Sequence, residues 1–573
     1  MAKAVRQVHH FDPYRGHLAS LQVRCGNFLF GECVGMENSH QKTALSLSVK
    51  SIVASIFILL AAAPSTAQVR NGIGPMATLP RLGEGGGLDL SVERQLGDRI
   101  AAQLLQDPAV IEDPVLDGYL RRIWQPLIQS AQNQGSMEPE MGDRFAWRLF
   151  LVKDRSVNAF ALPGGYMGVH LGLMGVATSA DELASVLAHE LSHVAQRHIS
   201  RMVSKQDKNT PLLIAAMVLG AIAASQTRNA DVLNATLVGG QAVAVQSQLN
   251  FTRDMEREAD RIGYSVMTGA GFDGLGFVSL FDKLQQSSRL NDDGSFPYLR
   301  SHPLSTERMA DMAGRLGHDR ASRSGAARGP VPAVLHALMA TRARVLAEFD
   351  SQRLQALAKG NEQPVVGVDA AAQRLVTAYT QALAASRLKD HAAALSQARQ
   401  LLALPGQDPV LRPTLLALGL ELGREAGWPA EAPFKNLWGT WAAEALAHPD
   451  RAAWWWGAAA SVELGQPEKA TSILQPWVLE HPTDAAAWQL LARAWVAQKA
   501  PLRAVRAEAE ARLAVLDLGG AVDRLQAGRE LTRQMGQQSA SDHVDASILD
   551  ARWRELSQRL REQHRAELQT NGR

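Results

Sequence analysis

Trp454 and Trp488 stand 34 residues apart, and so do Ala470 and Ala504. Leu474 and Pro482 follow Trp454, while Leu491, Trp495 and Ala511 follow Trp488. A bulky residue, a small residue at a helix crossing and a closing proline recurring at this period describe a helical repeat. A single repeat cannot bury its own apolar face, so copies must stack. Weaker copies surround Tyr379 to Pro409, and the whole second half is rich in the helix formers Ala, Leu, Gln and Arg. The reading is an α-solenoid over residues 366–560. A helical bundle without repeats would not explain the shared offset of two Trp and two Ala.

A chain of 573 residues exceeds one core and implies further domains. Ser322 to Ala333 is rich in Arg, Gly and Pro, which sets a boundary near residue 325, with linker helices over 326–365. The net charge of +2 leaves no basic footprint, so nucleic acid is not an expected partner.

At the other end, Ser51 to Ala63 forms a short apolar run behind Lys42 and Lys50, followed by Pro64-Ser65-Thr66-Ala67. That is the pattern of a cleaved signal peptide, with cleavage after Ala67, and the run is too short to span a bilayer. Its distance from residue 1 points to Met36 as the true start. Cys25 and Cys33 both fall upstream of that start, so the mature chain has neither a disulfide scaffold nor a thiol nucleophile.

Between these ends, residues 68–325 read as one domain. Gly and Pro dominate 68–90, and helix begins near Ser91 as cap, with Glu93 in the first turn. Residues 131–144 are polar and suggest a loop. Trp147 to Val152, Asn158 to Leu162 and Tyr166 to His170 are β-rich, the last two separated by Pro163-Gly164-Gly165. They predict a small antiparallel sheet in a mainly α domain. Pro211 to Ala224 is very apolar and reads as a buried helix, with contact to a membrane surface as the alternative.

Residues 182–200 read ELASVLAHELSHVAQRHIS. Leu183, Val186, Leu187, Leu191, Val194 and Ala195 give this helix a wide core-facing stripe. His189 and His193 are four apart and share a face, so both imidazoles can bind one metal, with Glu190 beside them to polarise a water. Taken alone, the motif favours a metal site, with two satisfied helix histidines beside a solvated Glu as the alternative. A catalytic zinc site usually has three protein ligands. On a continuous helix His198 would lie about 140° round from His193 and would point elsewhere. Glu256 and Asp260 are four apart on a second helix, so one carboxylate can complete the site and the other can orient a ligating His through its free ring N–H.

H-E-x-x-H followed by E-x-x-A-D resembles the gluzincin family of zinc metallopeptidases, which includes Ste24, HtpX and Oma1. The resemblance places zinc, one per chain, on His189, His193 and Glu256, and makes Glu190 the general base, with Asp260 supporting a ligand. Glu258 falls outside the ligand position. The run Asn158, Ala159, Phe160, Ala161 and Leu162 resembles the family's edge strand, which pairs with extended substrate backbone. Ser301-His302-Pro303 with Arg308 resembles the family's downstream His-Pro element. His302 carries two readings: a donor to the developing oxyanion beside Arg308, or an occupant of the fourth zinc position that keeps the resting site closed.

The signal peptide and the helical second half, read as tetratricopeptide repeats, liken the chain to the family's periplasmic, β-barrel assembly-enhancing members. The expected fold is a zincin-type metalloprotease domain followed by an α-solenoid tetratricopeptide-repeat domain. The implied function is zinc-dependent endopeptidase action in the periplasm, peripheral to the outer membrane. The implied partners are unfolded or stalled outer-membrane β-barrel proteins and their assembly machinery. The alternative is a chaperone or adaptor acting mainly through its repeats. A purely structural zinc site would leave Glu190 without a role.

Overall fold

The computed structural model describes residues 87–204, 253–290, 295–322, 329–361 and 364–571, apart from 405–407, 432, 433, 435 and 536–538. The expected signal peptide, the start at Met36, most of the Gly- and Pro-rich linker and the apolar stretch Pro211 to Ala224 lie outside the described residues. None of the described helices is long and apolar enough to cross a membrane.

Helix α1 (Leu90–Leu104) is capped by Asp89, whose carboxylate accepts from the Ser91 N–H. Ser91, expected as the cap, instead lies inside the first turn and donates its hydroxyl to Asp89. Strand β1 (Val110–Ile111) precedes α2 (Pro114–Asn133), which has Asp113 as cap and a proline in its first turn, where no N–H is needed. The polar segment expected as a loop is partly helical: α2 runs into it and α3 (Pro139–Arg144) occupies its end.

Strands β2 (Arg148–Val152), β3 (Ala159–Leu162) and β4 (Tyr166–His170) join β1 in the order β1-β2-β4-β3. The sheet is mixed rather than antiparallel. β3 and β4 form an antiparallel hairpin, but β4 inserts between β2 and β3 and so runs parallel to β2. Successive strands alternate in direction, so placing the third between the first two forces one parallel pair. The hairpin turn needs Gly164 and Gly165, both at positive φ (74° and 84°). Gly168 lies under the ring of its cross-strand partner Phe160; a Cβ there would meet Phe160 Cζ at 2.4 Å.

Side chains alternate across the sheet with a period of two. Phe150, Val152, Leu162 and Tyr166 pack with Leu96, Ile100 and Leu104 of α1. Leu149, Leu151, Ala159, Met167 and Val169 join the main core on the opposite face. That face is covered beyond α4 (Leu171–Val176) by α5 (Ala180–Ala195), capped by Ser179 and buried at every position except Asp181. After α6 (His198–Ser204), helix α7 (Arg253–Gly269) packs along α5, followed by α8 (Leu275–Leu290), α9 (Tyr298–Ser301) and α10 (Thr306–Ser322). Gly263 permits the close approach of α7 to α5, since a Cβ there would come within 3.0 Å of the His189 amide nitrogen.

The chain continues as helices: α11 (Ala333–Ala347), α12 (Ser351–Ala358), α13 (Ala370–Arg387), α14 (His391–Ala403), α15 (Arg412–Glu425) and α16 (Leu437–Leu446). Then come α17 (Arg451–Glu463), α18 (Pro467–Glu480), α19 (Ala485–Ala497), α20 (Pro501–Ala514), α21 (Leu518–Gln534) and α22 (Ala540–Asn571). Trp454 and Trp488 hold equivalent places in α17 and α19, and Ala470 and Ala504 in α18 and α20, all buried. The 34-residue offset thus falls on two successive helix pairs.

The helical region is tied to the sheet-bearing region by charge as well as by core. Arg342 on α11 is fully buried and reaches Asp113 at 2.7 Å, Glu421 at 2.8 Å and Tyr379 Oη at 3.2 Å. Arg451 likewise bridges Asp484 at 2.6 Å and Asp117 on α2 at 3.3 Å.

Candidate metal centre

Helix α5 presents His189 and His193 on one face, and α7 lays Glu256 and Asp260 against it. His302 enters from the turn after α9. All five side chains are at most 2 % exposed. His189 Nε2 lies 3.0 Å from His193 Nε2 and 3.3 Å from His302 Nδ1. Glu256 Oε1 lies 3.4 Å from His193 Nε2 and 2.9 Å from His302 Nδ1.

These separations test whether a metal fits. Four donors set about 2.0–2.1 Å from a zinc ion at tetrahedral corners are about 3.3–3.4 Å apart. The cluster matches that edge length to within a few tenths of an ångström, and its four donors lie within 4.8 Å of one another. Three imidazole nitrogens and a carboxylate oxygen converging in a buried space suit a shared cation.

Glu190, next to His189 on α5, does not point at the same centre as a ligand. Its Oε2 accepts from the Ala161 N–H at 3.1 Å, and its Oε1 lies 3.3 Å from His302 Nε2. The carboxylate therefore sits between the cluster and β3, one of the sheet's two edge strands. Asn158 O accepts from His170 N on the inner side, so by strand alternation Ala159 and Ala161 turn their backbone groups outward.

Residues 114–316 match the family model of peptidase family M48. The chain carries a peptidase family M48 domain. It is 37% identical over 242 residues to a putative beta-barrel assembly-enhancing protease of Vibrio cholerae serotype O1, covering 41% of this chain. The aligned region spans about half of that relative, 47% of its length. Likeness to the Beta-barrel assembly-enhancing protease of Escherichia coli strain K12 is 29% over 459 residues, covering 78% of this chain and 85% of that protein. The mitochondrial metalloendopeptidase OMA1 of Saccharomyces cerevisiae is 28% identical over 199 residues, covering 34% of this chain and 54% of that protein. The M48 domain is a metallopeptidase domain, and the converging His, His, Glu and His lie inside the matched residues.

The electrostatics of the M48 site follow from its burial. Desolvation raises the Glu190 carboxyl above its ordinary value, opposed by His302 and His189. Desolvation also drives His193 well down, which favours the neutral ring with a lone pair to offer. Glu256 is held well below the usual carboxylate range: burial works against it, but His302, His189 and His193 outweigh that cost. Asp260 Oδ1 lies 3.0 Å from His189 Nδ1, the nitrogen turned away from the cluster. It can accept that ring's proton and fix the tautomer that leaves Nε2 free.

Arg308 departs from one sequence expectation, which sets it beside His302 at an oxyanion. Its Nε and Nη2 instead donate to Asp260 at 2.6 and 2.8 Å, and its Nη1 reaches Pro303 O at 2.8 Å and Glu256 Oε2 at 2.9 Å. The guanidinium is committed to carboxylates behind the cluster. It neutralises Asp260 and Glu256 and ties the His302-bearing turn to α7.

His198 also departs from expectation. The helix of His189 ends at Ala195, and Arg197 adopts φ 53° before α6 begins. The break swings His198 back, so that its Nδ1 lies 2.8 Å from His193 Nδ1. Tyr298, which the sequence did not single out, is buried and stacks on His302 with ring centroids 4.7 Å apart. An aromatic four residues before His302, at the start of the short helix that His302 closes, was the available signal.

Proposed function

We propose that this chain is a zinc endopeptidase acting on extended polypeptide, with Glu190 as general base and β3 as the strand that holds substrate. The carrying observation is that Glu190 touches both parts: it accepts from Ala161 of the edge strand and borders the four-donor cluster. His189, His193 and Glu256 would hold zinc. Bound there, zinc would supply a Lewis acid that brings a water's pKa toward neutral and polarises the scissile carbonyl.

The protein's own groups do the rest. The outward carbonyl and N–H of Ala159 and the carbonyl of Ala161 are placed to pair with a substrate strand. Glu190, with its raised pKa, takes the proton of the attacking water and delivers it to the leaving amine nitrogen. Arg308 and Asp260 hold His189 and Glu256 in place. Dialysis against a chelator is expected to abolish cleavage of an unfolded β-barrel protein, and zinc to restore it. Full activity in the metal-free protein would sink the reading.

His302 occupies the fourth donor position and covers Glu190, so it closes the resting site. The second reading from sequence, an oxyanion donor, requires its Nε2 to face substrate, whereas that atom faces Glu190 Oε1. Replacing His302 with Ala is therefore expected to raise cleavage several-fold, measured with a fluorogenic unstructured peptide. A large loss of cleavage with zinc retained would favour the oxyanion role.

The names of the relatives, beta-barrel assembly-enhancing proteases, support a substrate class of unfolded or stalled outer-membrane β-barrel proteins, met in the periplasm after export and beside the membrane that receives them. The helical pairs of α17–α20, read as tetratricopeptide repeats, would select these substrates or their assembly machinery.

A further inference from the structure

The outer nitrogen of His193 faces a second imidazole: His193 Nδ1 and His198 Nδ1 are 2.8 Å apart. His198 is fully buried, and its Nε2 lies 3.0 Å from Glu258 Oε2. Glu258 in turn accepts from Arg201 Nη2 at 2.7 Å and is partly exposed. The chain Arg201–Glu258–His198–His193 runs from solvent to the metal cluster.

Hydrogen-bond bookkeeping gives this chain one direction. A His193 that offers Nε2 to a metal carries its proton on Nδ1. That proton can be shared with His198 only if His198 Nδ1 is an acceptor. The remaining ring proton of His198 then sits on Nε2 and is donated to Glu258, which Arg201 holds in position. Each proton has one place. Rotating the His198 ring, or replacing it with a group that has no acceptor, takes away the acceptor of the buried His193 N–H, or turns its lone pair away from the cluster.

We infer that His198 is a positioning residue for the metal centre: it accepts the Nδ1 proton of His193, relayed by Glu258 and Arg201, and so aims His193 Nε2 at the ion. The inference rests on the metal-site reading above and goes beyond it by assigning a role to residues outside the ligand set. Two otherwise unconnected features now have a cause. The left-handed Arg197 is the hinge that returns His198 to its neighbour, and Glu258, two residues after Glu256 on α7, anchors the far end. A carboxylate supports His189 directly through Asp260, whereas His193 reaches Glu258 through a second imidazole.

The test is zinc affinity by chelator competition, with the metal-free fold followed by circular dichroism. His198→Phe fills the space without an acceptor, and its affinity is expected to fall about 10–100-fold. His198→Asn places an amide oxygen near the former Nδ1 and is expected to recover most of that loss. Should His198→Phe not fold, Glu258→Ala carries the same test with an expected loss of several-fold, because its partly exposed site tolerates truncation. Equal affinity in wild type, His198→Asn and the acceptor-less or relay-cut variant would overturn the inference while leaving the metal site intact. Equally weak binding by His198→Asn and His198→Phe would also overturn it. A wild-type protein that binds no zinc would instead overturn the metal-site reading and this one with it.

Discussion

Glu190→Gln is expected to lower cleavage of an unfolded β-barrel protein by about 10²–10⁴-fold while the protein keeps its zinc. The carboxylate and the amide are nearly isosteric, so the fold of α5 and the cluster of His189, His193, Glu256 and His302 should persist. What the amide lacks is the capacity to take a proton. Burial raises the Glu190 pKa, which favours its taking up a proton. The Ala161 N–H, now given to Glu190 Oε2, can be accepted equally by the amide oxygen. The loss should therefore fall in kcat, with metal content by elemental analysis unchanged. Cleavage equal to wild type would remove Glu190 from the chemistry.

Arg342→Met is expected to destabilise the protein by about 3–5 kcal/mol, read as a shift of the urea unfolding midpoint. The guanidinium is fully buried and serves Asp113 and Glu421, which are 7 % and 8 % exposed. Removing the cation alone strands two buried carboxylates, and one of them, Asp113, also caps α2. The triple change Asp113→Asn, Arg342→Met and Glu421→Gln removes the charges together and keeps a capping side chain. It should be less destabilised than the single change, because the cost lies in uncompensated charge. A single variant within about 1 kcal/mol of wild type would show that the cluster is solvated or relaxes freely.

Much of this was legible in the sequence because its signals are local. The apolar stripe of residues 182–200 settles that His189 and His193 share a buried face, since four residues are just over one helical turn. The same spacing pairs Glu256 with Asp260. The Trp454 and Trp488 offset announces repeated helical pairs, and Asn158 to Leu162 reads as a strand from alternation and its Pro-Gly-Gly turn. The mixed sheet was not legible: strand direction follows from which strand inserts between which, and that is a contact between distant segments. The cap at Asp89 rather than Ser91 was a choice between two good caps that only the backbone entry angle decides.

That His189 and His193 share one buried face of α5 is thus a property of the sequence alone, because helical periodicity is enforced by backbone geometry. Only the tertiary structure decided what surrounds that face. It places Arg308 behind Asp260 and Glu256, His302 between His189 and Glu190, and His198 against His193 through a single left-handed residue at Arg197. Each of these depends on one turn or one helix packing, and a change of a few degrees in a backbone angle moves a side chain by ångströms. Sequence spacing carries no record of that.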